Sequence, residues 1–142
     1  MSFAGAITAL SALSVSGVTA NYGIDEFYPP LVVSQLPALV VELAPTGGEG
    51  FTPLVIDASE GLLVIRVNHI LAYGVIGLGG AVARAGVVAL LDNYMTALKA
   101  NWTLSGNLYK PALVAVQSVG EYAIAGTYFH AVVLNHRWVV TL

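Results

Sequence analysis

A chain of 142 residues without cysteine is long enough for one domain with a core, and it excludes a disulfide framework, a thiolate nucleophile and a cysteine-type zinc site. Hydrophobic residues make up 57% and charged residues 9%, against about 25% charged in an ordinary soluble domain, so charges are too few to coat an isolated monomer and much of the surface is expected to lie against other copies or other proteins. The formal net charge is −3, and the five cations (Arg66, Arg84, Lys99, Lys110 and Arg137) are scattered along the chain, which argues against sequence-specific nucleic-acid binding.

The elements follow in chain order. In SFAGAITALSALS (2–14), Phe3, Ile7, Leu10 and Leu13 recur at helical spacing opposite Ser and Thr, predicting a short amphipathic helix with Ser2 as its N-cap. Gly17 is placed to close it. Residues 17–45, which hold Pro29 and Pro30, read as an irregular, partly extended connection leading into a strand over Ala38 to Leu43, with Pro37 just before it. TGGEG (46–50) has the composition of a flexible tip, and 44–62 as a whole reads as a flexible hairpin and loop region. FTPLVID (51–57) and GLLVIRVNHILAYGVI (61–76) flank a short turn and predict a long β-hairpin. The second run is apolar at nearly every position, as in a strand covered on both faces.

From Gly80 to Ala100 the period changes to 3.6, with Val87, Leu91, Tyr94, Met95 and Leu98 on one stripe of the most secure helix. Asn101 and Gly106 follow it, and residues 110–120, 121–126 and 127–142 predict two or three terminal strands. The expectation is a single α+β domain over 1–142: a mostly antiparallel β-sheet with a long β-hairpin, one long amphipathic helix packed on the sheet and a short N-terminal helix.

Three features invite a chemical reading. Asn-His occurs twice, in IRVNHILAY (65–73) and AVVLNHRWVVTL (131–142). Strand alternation turns His130 and His136 to one face but leaves them roughly 20 Å apart, too far to share a metal ion. His69 joins one of them only if its strand pairs with the last, and neither strand supplies a carboxylate. The simpler reading is histidines hydrogen-bonded at a sheet surface or a subunit interface. GVIGLGGAVARAG (74–86) lacks the G-x-G-x-x-G spacing and the Gly-Lys-Ser/Thr of phosphate loops, so it reads as a junction that lets the chain turn. No G-x-S-x-G elbow occurs for a nucleophilic serine. No catalytic, cofactor-binding or metal-ligating residue is assigned, and no cofactor is expected.

A mean hydropathy of +0.80 raises a membrane reading, centred on residues 70–91. Arg84 and five glycines interrupt that window, so no spanning segment is expected.

The C-terminal half carries a resemblance. The amphipathic segment LLDNYMTALKANWTLSGNLYKPA (90–112), with its Leu104 and Gly106 turn, is followed by a strand, a Gly-Glu-Tyr segment, a Gly-centred turn before Thr-Tyr and a long final strand. Over residues 85–142 this order resembles the tail-terminator and head–tail joining proteins of long-tailed bacteriophages, of the minor tail protein U type. Tyr-Pro-Pro (28–30) and Leu-Pro-Ala-Leu-Val-Val (36–41) fit the same layout. The resemblance implies a non-enzymatic virion protein, assembled in the host cytoplasm. It would form a homo-oligomeric ring, typically a hexamer, that ends tail-tube growth and contacts the tail tube protein and the head connector. On this reading the interface residues are Phe51 and Leu54 of the hairpin, Arg84 and Asp92 of the long helix, and Arg137 and Trp138 of the last strand. The alternatives are another virion structural subunit (tail tube, neck or capsid decoration) or a small membrane-associated protein.

Overall fold

The computed structural model describes residues 2–23, 33–43, 55–57, 61–77, 80–124 and 126–141. The chain opens with helix α1 (Phe3–Ser11), capped as predicted: Ser2 is extended and its Oγ accepts a hydrogen bond from the Gly5 N–H at 2.9 Å. The helix ends at Ala12, ahead of Gly17, and buries Ala6, Ile7, Ala9 and Leu10.

Strand β1 (Ala20–Tyr22) follows, then a single 3-10 turn (Val33–Gln35) and strand β2 (Ala38–Leu43). β1 and β2 pair in parallel. Residues 17–45, read from the sequence as an irregular, partly extended connection, therefore contribute an edge strand as well as β2. β3 (Val55–Asp57) and β4 (Leu62–Val75) form the hairpin expected at this position, with three pairs among the described residues. β2 and β3 both pair antiparallel with β4, β2 along residues 67–72 and β3 along residues 62–64.

Helix α2 (Gly80–Ala100) leads through a tight turn to β5 (Leu113–Ile124) and β6 (Thr127–Thr141). The turn after α2 keeps Leu104 (φ 48°), Ser105 (φ 60°) and Gly106 (φ 79°) left-handed. Leu104 is fully buried, and Asn101 Oδ1 accepts from the Ser105 N–H at 2.7 Å, so burial and a side-chain bond together offset an unfavourable conformation. The two or three terminal strands resolve into two long ones. The first two predicted segments merge into the single strand β5, which passes Gly120 without a break and carries one irregularity, between Val116 and Ser118.

The six strands form one mostly antiparallel sheet in the order β1-β2-β4-β6-β5, with β3 beside β4. Both helices lie on one face. Their side chains meet Leu39 and Val41 of β2, Ile65, Val67 and Leu71 of β4, and Val132, Leu134, Trp138 and Val140 of β6 in the main core. The stripe of α2 that enters this core is Ala83, Val87, Leu90, Tyr94 and Leu98. Met95, placed on the stripe from the sequence, is 39% exposed, and Leu91 is only partly buried. The helix is rotated so that Tyr94 rather than Met95 points at the sheet, for the hydrogen-bonding reason given below. Gly86 allows the close approach of α2 to β4, since a Cβ there would overlap the Tyr73 ring.

A second, smaller core lies on the opposite face, among Val40, Ile70, Ala72, Phe129, Val133 and Ile124. Tyr122 of β5 donates a hydrogen bond to Glu42 of β2 at 2.8 Å. Because β4 and β6 lie between those strands, that bond requires the sheet to curl and bring the end of the β5–β6 hairpin toward β2. Irregularities in β4 between Ala72 and Gly74 and in β5 at Gln117 supply local bends of the kind a curled sheet needs.

Candidate functional site

The two Asn-His pairs meet. β4 and β6 pair with Asn68 opposite Asn135, Val67 opposite His136 and His69 opposite Leu134. Alternation then sends the asparagines to one face and the histidines to the other. Asn135 Nδ2–H donates to Asn68 Oδ1 at 2.8 Å, while His69 and His136 stand diagonally on the helix side with ring centroids 6.1 Å apart. Both rings are fully buried. The sequence reading placed them at a sheet surface or interface; the structure places them under α2, because β4 and β6 are the two central strands.

Tyr94 descends from α2 between them. Its Oη lies 2.9 Å from His69 Nδ1 and 2.5 Å from His136 Nε2. His136 Nδ1 accepts from the Trp138 indole N–H at 3.2 Å. On the other side, His69 Nε2 lies 3.1 Å from Asn21 Oδ1, and the Asn21 amide nitrogen donates to the carbonyls of Leu10 and Leu13 at 3.0 and 3.1 Å. One chain of hydrogen bonds thus runs from β6 through α2, β4 and β1 to the end of α1. Among the described residues no buried side-chain polar atom lacks a partner, as an apolar interior demands.

Burial shapes the protonation states. It lowers His136 to about 3 and takes His69, which also faces His136, well below its ordinary value. Burial likewise holds the Tyr94 hydroxyl well above the usual tyrosine range. Both imidazoles are neutral at physiological pH and Tyr94 keeps its proton. A metal would need further ligands, and among the described residues no group of three or more His, Cys, Asp or Glu is arranged to hold one. Nor does the cluster open to a substrate: Tyr94, His69, His136 and Trp138 are each 0% exposed. The arrangement ties helices to sheet.

The predicted interface residues separate. Phe51 and Leu54 lie outside the described residues. Arg84 and Asp92 are exposed on α2. Arg137 is exposed on the opposite face of the sheet, in register with Arg66. Trp138 is corrected: it packs edge-on against Phe3 and His136 inside the core and has no surface to offer a partner. Sequence reasoning missed Tyr94 and Asn21 as partners of the histidines. The available signal for Tyr94 was its polar tip at the centre of an otherwise apolar helical stripe.

The surface that the sequence does not single out is β5. It ends the sheet, and among the described residues nothing pairs with its outer edge. Leu113, Val116 and Val119 are 63%, 46% and 55% exposed, and on α2 Val82 and Val88 are exposed as well. Between them runs a cleft of about 170 Å³ bordered by Ala83, Arg84, Val87, Val119 and Gly120. The helix layer covers β2, β4 and β6 but reaches β5 only at Val114, leaving most of that strand exposed. Among the described residues no helix is long and apolar enough to cross a membrane. No protein-family model matches the chain, and no curated protein matches it either.

Proposed function

We propose that this protein is a structural subunit that assembles with copies of itself into a closed ring, and that the ring is a virion component of the tail-terminator or head–tail joining class. The observation that carries the reading is β5, a long edge strand with exposed apolar side chains and Glu121 as its one charged residue. Monomeric proteins protect such edges with lysine, proline or a covering element. Among the described residues β5 has none of these, and its one irregularity, between Val116 and Ser118, leaves apolar side chains exposed on both sides of it.

A second copy of the chain is the occupant that its charges fit. Lys110 and Arg137 border a hollow at the start of β5 together with Leu113 and Val139, whereas the exposed carboxylates Glu121 and Asp92 lie near the far end of β5 and on α2. A neighbour presenting its acidic region to the basic one pairs these groups around an apolar centre, in a head-to-tail contact that closes into a ring or extends into a filament. The scarcity of charge in the whole chain agrees, since a ring subunit buries two flanks. The more specific assignment to the end of the tail tube rests on the resemblance of residues 85–142 to phage tail-terminator proteins.

Native mass spectrometry and negative-stain microscopy of the purified chain test this. Closed rings of uniform stoichiometry that bind the ends of tail tubes are expected. Filaments would instead favour a tail-tube subunit. A monomer at high concentration that leaves tail tubes unbound would overturn the proposal.

A further inference from the structure

The hydrogen-bond chain from Trp138 to Asn21 has a direction, and its two ends set that direction independently. An indole N–H only donates, so His136 Nδ1 is the bare nitrogen and its proton sits on Nε2, donated to Tyr94 Oη. At the other end the Asn21 amide nitrogen is committed to two carbonyls. Asn21 Oδ1 therefore accepts, and His69 carries its proton on Nε2 and accepts at Nδ1. Tyr94 joins the halves by accepting from His136 and donating to His69. The two assignments agree at the one hydroxyl where they meet.

Such a chain has no place for another proton. Added to His136, it would sit on Nδ1 facing the indole N–H, donor against donor. Added to His69, it would sit on Nδ1 facing Tyr94 Oη, whose own hydrogen would then lose its acceptor. The groups facing the two rings are Asn21 from β1, Tyr94 from α2 and Trp138 from β6. Apart from the two histidines, the buried polar or charged side chains among the described residues come down to Asn68, on the opposite face of the sheet, so no buried carboxylate balances an imidazolium.

We propose that the Trp138–His136–Tyr94–His69–Asn21 chain is an acid-sensitive latch, which holds α1 and α2 on the sheet at neutral pH and releases the helix layer in mildly acidic solution. The inference stands apart from the assembly reading. Once the layer opens, both histidines regain an ordinary value near 6.5, whereas the closed form keeps His136 at about 3 and His69 also depressed. The open form then binds more protons. The advantage of the closed form is complete above about pH 6.5 and shrinks as pH falls, up to tenfold per histidine per pH unit, or about a hundredfold for the pair.

Histidine nitrogen NMR of the full chain, followed by near-ultraviolet circular dichroism from pH 7.5 to 5, tests this. Both rings are expected to remain neutral with the proton on Nε2 until the packing signal collapses. The closing equilibrium should lose nearly two protons' worth of slope between pH 6 and 5, where carboxylates contribute little. His69→Gln and His136→Gln, whose amides can donate and accept in the same sense without titrating, should each remove about one proton from that slope. Titration of either ring near 6.5 with packing intact would overturn the latch, as would a wild-type slope in the double glutamine variant. If the glutamine variants do not fold, the wild-type NMR titration decides.

Discussion

β4 and β5 are long, apolar strands of 14 and 12 residues, and they end in opposite circumstances. β4 is paired along both edges, and residues 67–72 of it are buried without interruption. β5 is paired along one edge, and Ile124 is its single buried residue. Position in the sheet makes the difference. The helix layer barely reaches past β6, so the same kind of side chain that fills the core from β4 is mostly exposed on β5. Apolarity at the centre of the sheet serves the chain's own stability, and apolarity at its edge is what the proposed assembly would cover.

That contrast can be broken at several points. Trp138→Ala, beside β4 in the core, is expected to cost about 3–5 kcal/mol, read as a lower denaturant midpoint with an unchanged m-value; a loss under about 1 kcal/mol would deny the centre its role. Tyr94→Phe strands a donor on His136 and an acceptor on His69, and a loss of about 2–4 kcal/mol should follow in the same assay. Tyr128→Phe, at an exposed position, serves as control and should stay within about 0.5 kcal/mol. Gly86→Ala must displace the Tyr73 ring and should cost roughly 1–3 kcal/mol, with fluorescence or NMR reporting the shifted tyrosine. The smallest effect on stability belongs to the edge. Val119→Lys on β5 should change monomer stability by no more than about 0.5 kcal/mol while reducing the assembled mass to that of a monomer in native mass spectrometry. Assembly that survives it would remove β5 from the interface.

Much of the architecture was legible where local chemistry and periodicity point the same way. Ser2 as a cap, the strand at Ala38–Leu43, the helix over 80–100 and the long last strand all follow from patterns within a few residues. The α2 stripe was right at Val87, Tyr94 and Leu98 but took Leu91 for Leu90 and added Met95, because neighbouring apolar residues at the border of a helical stripe are hard to separate by spacing. What distinguishes Tyr94 from Met95 is a hydroxyl that has acceptors waiting on the sheet. β1 was anticipated only as part of a partly extended connection, because three residues in parallel pairing leave almost no periodic trace.

The candidate site was half legible. Its histidines stood out, and so did the conclusion that His130 and His136 cannot act together along one strand. The pairing of His69 with His136 needed a register, and in an antiparallel sheet a shift of one residue sends every side chain to the other face. Trp138 was read as a contact residue because aromatic residues mark interfaces as well as cores, and sequence alone does not separate the two.

Composition and periodicity by themselves determined an α+β chain with few charges, because these properties are sums over residues and need no partner. Only the tertiary structure decided which strand lies at the centre and which at the edge, which tip of α2 meets the sheet, and that two Asn-His pairs far apart in sequence become an amide pair on one face and a histidine chain on the other. Those outcomes depend on strand order and register, which are set by contacts between distant segments.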